Sequence, residues 1–281
     1  MSELVLHSQT RLNVDRLMGN LPHALIIDGP SGIGVRTVAK RLASSMYSPE
    51  LIIEPKKMSN GQLVVDNNEG NVVIDDIRLL YEQTRAKQPD NHVYILDTGE
   101  RTMTVAAQNA FLKLLEEPRP GLHFIIATHH YDQLLPTITS RSQRLSLLPT
   151  SLDQTKQFIT TLGVTDDTKK ARLAFVGRGL PALMKRLATD EKLYESRVLI
   201  MSDAKVMISG STYEKSVVIH KYRENRAAAL TLLDDMNHQL SVIVKTNPDP
   251  HLVSLIAKHL DARDKVLAGG NIRLQLLDAV L

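Results

Sequence analysis

Short apolar runs alternate with helical patterns through the first 150 residues, and this alternation limits the possible folds more than any other feature. The runs are 24–28, 51–53, 93–97, 124–128 and 145–148. Between most of them the apolar residues recur at helical spacing, as Val38, Leu42 and Met46 do. Strands that alternate with helices predict a parallel sheet with helices on both of its faces. We therefore predict an α/β domain for residues 1–150.

The rest of the chain has helical patterns only. Pro149 and Ser151 interrupt the chain after the last predicted strand. A small helical domain is predicted for 151–195, followed by an all-α C-terminal domain at 196–281. In that last domain the stripe formed by Leu230, Leu233, Met236, Leu240 and Val244 carries more apolar surface than a small helical unit is expected to bury alone. We therefore predict that this domain is an assembly surface, with an internal core as the alternative.

Composition excludes several classes of protein. The chain has no cysteine, which excludes disulfides and thiolate metal sites. A net charge of +3 permits contact with nucleic acid without predicting it, and four Phe, seven Tyr and no Trp argue against a base-stacking platform. No apolar run reaches the roughly 20 residues of a membrane span, and the first residues are too polar for a secretory signal. We expect a cytoplasmic location.

A glycine-rich stretch, "DGPSGIGVRTVAKRL" at 28–42, lies between a predicted strand and a predicted helix. Phosphate-binding loops at this place follow the pattern G-x-x-x-x-G-K-[ST]. Gly29 and Gly34 match its two glycines, but Val35 takes the place of the lysine and Arg36 that of the hydroxyl residue. Arg36 and Thr37 come one position late, and a shift of one residue on a helix turns a side chain by about 100°.

The glycines of this loop can therefore serve its fold even if the loop does not handle phosphate. Gly29, Gly32 and Gly34 permit a tight turn, and the amides at the start of the next helix favour an anion. Catalysis also needs a lysine on the phosphates and a hydroxyl on Mg²⁺. We predict no catalytic phosphate handling; weak nucleotide binding, or a plain turn from strand to helix, stays open.

A second strand, "HVYILDTGE", resembles the Walker B strand of nucleotide hydrolases. Asp97 ends it, where a Mg²⁺ ligand would lie, unless Asp97 is only a cap or turn residue. The acid that would polarise water next to it is replaced by Thr98, and Glu100 follows two residues later.

A loop arginine precedes the last predicted strand, in the triplet Ser140-Arg141-Ser142. Its spacing alone does not distinguish it from a solvated side chain. Another reading is an ion pair within the chain, to Glu116 or Glu117. The pair His129-His130 is predicted to consist of exposed polar loop residues, and we expect no metal site.

Four segments occur together in the order seen in one family: "LPHALIIDGPSGIG", "MTVAAQNAFLKLLEEP", "FIIATHHYDQLLPTITSRSQ" and "GNIRLQLLDAVL". The sequence resembles the bacterial replicative clamp-loader subunits, which are AAA+ proteins of DNA polymerase III. Residues 21–42, 72–148 and 266–281 carry the resemblance, and the run Leu-Leu-Glu-Glu-Pro at 114–118 followed by Ser-Arg is specific to this group. It implies an AAA+ core, a helical lid domain and a C-terminal collar through which subunits assemble.

The family that the sequence resembles contains members with two different roles. The ATPase members, called gamma or tau, hydrolyse ATP, and delta prime-type members do not. This chain departs from the ATPase pattern at Val35, at Thr98 and at Leu180, where a nucleotide-sensing arginine would lie. The resemblance therefore implies a non-hydrolysing member with no activity of its own inside the polymerase holoenzyme. Arg141 would be the arginine finger that reaches a neighbour's ATP site, although its usual following cysteine is Ser142 here.

The implied partners are the loader's gamma/tau ATPase and delta subunits, the sliding clamp and, through the complex, primer-template DNA, with no membrane. The family's four-cysteine zinc module is absent, because "SSMYSPELIIEP" runs directly from the first loop helix to the second strand. We expect no cofactor, neither ATP nor zinc. Residues 56–72 then read as a hairpin-like segment with Asn67 and Asn68 in its turn. The alternatives are an active gamma/tau-like ATPase and a scaffold AAA+ module outside replication.

Overall fold

The computed structural model describes residues 4–46, 50–59, 61–85, 92–117 and 119–280. The chain forms two compact units, Met1–Arg186 and Leu187–Leu281. Pro118, the last residue of the Leu-Leu-Glu-Glu-Pro run, lies outside the described residues, as do residues 47–49 of the stretch "SSMYSPELIIEP".

A five-stranded parallel sheet forms the centre of the first unit, as the alternating pattern predicts. Its strands are β1 (Ala24–Asp28), β2 (Glu50–Ile53), β5 (His92–Asp97), β6 (Leu122–Thr128) and β7 (Gln143–Ser146). They lie in the order β2-β5-β6-β1-β7, and every neighbouring pair is parallel. The last strand begins two residues before its predicted start and ends two before its predicted end.

Helices cover both faces of this sheet. They are α1 (Ser8–Leu17), α2 (Val35–Ala43), α3 (Ile74–Thr84), α4 (Val105–Glu116) and α5 (Pro136–Thr139). Successive side chains of a strand point to opposite faces. Accordingly Leu25 and Ile27 of β1 pack with α1 and α2, while Ile26 packs with α3 and α4 in a second core. Both faces of the sheet are therefore buried, which fits the continuous apolar runs of the strands.

The predicted hairpin is present between the second strand and α3. It pairs β3 (Lys56–Ser59) with β4 (Gln62–Val65) in antiparallel register. Asn67 and Asn68 do not form the tip of this hairpin. They belong to a second turn, in which the carboxylate of Asp66 accepts the amides of Asn68 and Glu69 at 2.9 Å each.

Three further helices follow the sheet: α6 (Leu152–Thr161), α7 (Asp167–Gly177) and α8 (Pro181–Thr189). Residues up to Arg186 belong to the first compact unit. Thr150 attaches them to the end of the sheet region, because its amide donates to the Gly179 carbonyl at 2.9 Å and its hydroxyl bonds Thr155 at 2.9 Å. The three-domain division of the sequence stays a prediction.

The second unit contains helices only among its described residues. They are α9 (Glu191–Ser209), α10 (Thr212–Tyr222), α11 (Arg226–Thr246), α12 (Pro250–Leu267) and α13 (Ile272–Val280). Helix α11 packs against both α9 and α12. No helix in the described parts of the chain combines the length and apolar character needed to cross a membrane.

The apolar stripe of α11 is part of this unit's own core. Leu233, Met236 and Leu240 are fully buried, and Leu230 and Val244 are half-buried. The expectation that this stripe needs a partner chain to cover it is therefore wrong, because α9 and α12 already cover most of it. Helical periodicity reveals that a face is buried, but not which element buries it.

Candidate functional site

The glycine loop and Asp97, two predicted parts of the site, lie at the carboxyl ends of the parallel strands, together with Glu54, which was not predicted. The glycine loop follows β1, Asp97 ends β5, and Glu54 comes directly after β2. Open α/β sheets bind ligands at this edge. The topology therefore brings the loop and the predicted Walker B residue together, as the sequence predicts.

The loop has the backbone conformation that its glycines predict. Gly32 and Gly34 have φ values of 85° and 102°, in the left-handed region that favours glycine. Helix α2 begins immediately afterwards at Val35, whose side chain is buried in the core between α1, α2 and the sheet. The side chain at the lysine position thus packs inward as a core residue, and Thr37, one residue beyond Arg36, is exposed.

Three contacts hold the loop from different sides. The Gly29 carbonyl lies 2.8 Å from Nδ1 of His129, and the Ser31 hydroxyl donates to the Glu100 carboxylate at 2.5 Å. The Gly32 carbonyl accepts the amide of Leu183 at 3.0 Å. A Cβ at Gly32 would lie only 2.8 Å from Cβ of Leu183, so the loop and the first turn of α8 are in direct contact. Leu180, at the predicted sensor position, packs against the same core as Val35.

Arg36 forms the cationic centre of this region. Its guanidinium nitrogens lie 2.5 Å from Oε1 of Glu54 and 3.3 Å from Oδ2 of Asp97. The other oxygen of Asp97 accepts the amide of Gly99 at 3.1 Å. Burial raises the pKa of Asp97 above its ordinary value, and the Gly99 amide and the Arg36 charge oppose that rise. The arrangement places a guanidinium between the loop and the predicted metal ligand.

Thr98, the residue after Asp97, has a hydroxyl group that is already hydrogen bonded within the sheet. Thr98 is fully buried, and its hydroxyl hydrogen bonds the hydroxyl of Thr128 at 3.1 Å and the carbonyl of Ala127 at 3.3 Å. It links two neighbouring strands and has no acidic group with which to polarise a water molecule. Glu100, the next acid along the chain, is occupied by Ser31.

The histidine pair is not exposed, so that prediction is wrong. His129 and His130 are half-buried, and Nε2 of His130 lies 3.0 Å from the Glu100 carbonyl. The pair connects the end of β6 to the glycine loop and to the turn after β5. Among the described residues, no group of three or more acidic or histidine side chains could hold a metal ion.

Arg141 lies away from these contacts, just after the short helix α5. One guanidinium nitrogen donates to the Thr137 carbonyl at 3.0 Å, and another lies 3.2 Å from Glu116, the ion pair that the sequence offered as the alternative. The two side chains are 40% and 51% exposed. Exposed pairs of this kind contribute about 0–1 kcal/mol to stability, because water screens them and ordering both side chains costs entropy.

A second arginine of the same segment, which the sequence analysis passed over, is held much more firmly. Arg144 makes two parallel hydrogen bonds to Asp28, of 2.9 and 2.8 Å, and its guanidinium lies 3.6 Å above the ring of Tyr131. Ser146 also donates to Asp28, at 2.9 Å. The hydrogen bonds to Asp28 raise the pKa of Arg144. The strand pairing of β1 with β7 could have indicated this contact, because it places Asp28 opposite Ser146.

Comparison with known proteins agrees with these observations. The family model for the DNA polymerase III delta subunit matches residues 8–151, slightly more than half of the chain. DNA polymerase III subunit delta' of Haemophilus influenzae is 32% identical over 136 residues, which are 43% of this chain and 41% of the relative. DNA polymerase III subunit gamma/tau of Mycobacterium tuberculosis is 29% identical over 160 residues, 51% of this chain and 28% of the relative.

The matches thus span less than half of the length of these two curated relatives. Among solved structures, a DNA polymerase III gamma subunit-related protein of Thermotoga maritima has a TM-score of 0.55 at 19% identity, with 97% of each chain covered. At that identity the likeness concerns the fold alone, and it extends through both units. With the family model matching the sheet region that carries the glycine loop and Arg141, the chain belongs to the DNA polymerase III delta subunit family of clamp-loader components.

Proposed function

We propose that this chain is a non-hydrolysing, delta prime-like subunit of the clamp loader, which lends Arg141 to the ATP site of a neighbouring subunit. The first half of the proposal, that the chain does not hydrolyse ATP, rests on the contacts of Arg36. The guanidinium of Arg36 contacts both Glu54 and Asp97, at 2.5 and 3.3 Å. Arg36 takes the place of the hydroxyl residue that would hold Mg²⁺, and Asp97 takes the place of the Walker B ligand. Under this proposal, a cation of the chain would lie where a nucleotide would need a metal.

The rest of the loop supports the same conclusion. A working loop needs a lysine on the β- and γ-phosphates, and Val35 is a buried core residue. The carbonyl of Gly32 is bonded to the first turn of α8, and Ser31 is bonded to Glu100. The first turn of α8 and the turn after β5 thus contact the loop, while the fold of the loop is kept because it joins a core strand to a core helix.

The second half of the proposal concerns Arg141. Its side chain is 40% exposed, and its ion pair is of the weak, screened kind. A planar, permanently charged fork can meet the developing charge of a transferring phosphoryl group with two donors. Such fingers contribute about 10³–10⁵ in rate when supplied in trans. Release from Glu116 costs little, so Arg141 can exchange this partner for a phosphate.

Assembly would use the second unit as a collar, with the helices after the sheet as a lid. Helix α12 exposes an apolar stripe with a spacing of seven residues, formed by Val253, Leu260 and Leu267. Residues seven apart on a helix share one face, as in helix-to-helix seams. This stripe, and not the buried one on α11, is the surface that we assign to neighbouring subunits.

In this role the chain would act in the cytoplasm with the loader's gamma/tau and delta subunits, the sliding clamp and primed DNA. The similarity to gamma/tau subunits supports a second candidate, an active loader ATPase. The two candidates differ in what the purified chain does with ATP. An ATPase hydrolyses it, and hydrolysis falls when Asp97→Ala is made; a delta prime-like subunit shows no turnover above background.

Reconstitution tests assembly. The tagged chain should co-purify stoichiometrically with loader subunits, and the pair of changes Leu260→Glu and Leu267→Glu should abolish this without lowering the melting temperature. Leu12→Glu, at an exposed leucine of α1, is the matched control and should leave assembly intact. Failure of the wild-type chain to join the loader would contradict the proposed function.

A further inference from the structure

The second unit contains an open cavity of about 330 Å³ that the proposed function does not use. It lies between the end of α9, the first turns of α10 and α12, and the end of α13. Its lining includes the apolar side chains of Met207, Leu255 and Val280. It also includes Lys215, His251 and Lys258, and no acidic residue lines it.

The two lysines are available for a ligand. Neither Lys215 nor Lys258 makes an ion pair with another of the described residues. Lys258 is exposed on α12 and Lys215 is half-buried on α10. Two ammonium groups in a cavity that also has apolar side chains attract an anion with an apolar part, because the apolar side chains lower the local dielectric and strengthen the attraction.

His259 adds a second requirement, a hydrogen-bond donor on the ligand. It is only 1% exposed, lines the cavity, and its Nδ1 has no hydrogen-bond partner among the described residues. The ring hydrogen bonds the backbone of Ala279, and burial lowers its pKa to about 4. The imidazole is therefore neutral at pH 7, and since its other nitrogen serves Ala279, Nδ1 is a bare acceptor. Because Nδ1 is itself buried, a complete ligand would supply an N–H or O–H donor here after a small turn of the ring toward the cavity.

We propose that this cavity binds an acidic peptide segment with an apolar side chain, supplied by an adjacent loader subunit. Its carboxylates would meet Lys215 and Lys258, its apolar side chain would cover Met207 and Leu255, and a backbone N–H would donate to Nδ1 of His259. The assignment to a loader subunit rests on the proposed function; the chemistry of the cavity does not. A nucleic acid backbone fits less well, because a phosphodiester has neither a donor for His259 nor an apolar part.

Nuclear magnetic resonance of the full chain tests the chemistry directly, with acetyl-Leu-Asp-Glu-Leu-amide as the probe. Millimolar peptide should shift the signals of Lys258 and of the His259 ring. Binding should weaken about tenfold or more in the double variant Lys215→Gln, Lys258→Gln, since each lost charge removes attraction to a carboxylate. Lys245→Gln, at an exposed lysine outside the cavity, is the control and should bind as the wild type does.

Three results would overturn the assignment. They are no shift with the peptide, equal shifts with the neutral analogue acetyl-Leu-Asn-Gln-Leu-amide, or tighter binding of an oligothymidylate to the same residues. Assembly with loader subunits is measured separately, with Lys258→Glu against Lys245→Glu. If the wild-type chain does not assemble, the proposed function fails while the peptide titration still decides the cavity. If it assembles and Lys258→Glu joins as tightly as Lys245→Glu, the loader source of the segment is wrong.

Discussion

Arg36, at the start of the helix after the glycine loop, and Arg141 are exposed to a similar extent but have different partners. The side chain of Arg36 is 34% exposed and lies beside two carboxylates, Glu54 at 28% and Asp97 at only 6% exposed. The side chain of Arg141 is 40% exposed and its acidic partner Glu116 is 51% exposed. Arg36 is therefore tied to a buried carboxylate of its own chain, whereas Arg141 can leave its partner at little cost.

Under the proposed function, this difference explains how the fold of a nucleotide-binding loop can persist without nucleotide chemistry. The strand, loop and helix contribute to the core whatever the loop binds, since Val35, Val38 and Leu42 are buried beside the sheet. Phosphate handling depends on a few side chains that the core does not need. An internal cation can replace them, while an arginine on another loop stays available to a neighbour.

The largest expected effect comes from restoring the phosphate loop. The double change Val35→Lys, Arg36→Thr puts a lysine and a hydroxyl at the two motif positions and frees Asp97 from the Arg36 charge. Because Val35 is buried, the lysine must extend its stem out of the core for its ammonium to reach the phosphates. Calorimetry with Mg-ATP should then give a dissociation constant in the micromolar range, about −8 kcal/mol, where the wild-type chain gives no measurable heat. Val35→Ala with Arg36→Ala is the control, and it should bind nothing. Tight binding of Mg-ATP by the wild-type chain would show that the pairing of Arg36 with Glu54 and Asp97 does not exclude the nucleotide.

A smaller loss is expected when Arg144 is removed. Arg144→Ala leaves the nearly buried carboxylate of Asp28 with Ser146 as its remaining side-chain partner. Because Arg144 itself is about half exposed, the loss should be moderate, about 1–2 kcal/mol of unfolding free energy. Urea denaturation measures it. An unchanged midpoint would mean that a bidentate pair in this segment is no stronger than the exposed pair of Arg141.

Asp97→Asn should stabilise the chain slightly at neutral pH. Burial raises the folded-state pKa of Asp97 above its ordinary 3.8, so ionisation costs stability as the pH rises through that raised value. Asparagine avoids this cost and leaves Arg36 paired with Glu54. The gain should be below about 1 kcal/mol, and it should vanish as the pH falls well below 3.8, where the aspartic acid is protonated in both the folded and the unfolded state. A loss of stability at pH 7 would show that the Arg36 charge outweighs burial.

The smallest effect on stability is expected for Arg141→Ala. It removes a screened surface pair, so the free energy of unfolding should change by less than about 0.5 kcal/mol. Glu116→Gln is the matched control for the same pair and should give an equally small change. A loss as large as that of Arg144→Ala would make Arg141 a structural residue and the two loops alike.

The sequence predicts most of the sheet but only part of the site. The strands can be predicted because each is a short apolar run. Asp97 and Arg141 can be predicted as site residues because they lie beside predicted strands. The pairing of Arg36 with Glu54 is not, since it joins residues 18 positions apart whose proximity depends on how β2 lies beside β5. A polar residue directly after an apolar strand, as in "LIIEP", is the signal that could have included Glu54.

The helical unit shows the limit of periodicity more clearly. The sequence predicts a partner for the stripe on α11, which is internal, and gives no sign that the stripe on α12 is the exposed one. Both have helical spacing, and only the packing of neighbouring helices separates them. In the same way, the sequence predicts that the two histidines after β6 are exposed loop residues, and only the structure shows that His129 contacts the glycine loop.

One measurement tests the central claim most directly: single-turnover ATP hydrolysis by the reconstituted loader, with wild-type or Arg141→Ala chain. The account predicts that the variant assembles normally and melts at the wild-type temperature, while hydrolysis at the neighbouring site slows by about 10³-fold or more. Glu116→Gln should leave that rate unchanged or raise it, because it frees Arg141 from its intrachain partner. Unchanged hydrolysis in an assembled loader that contains Arg141→Ala would contradict the account.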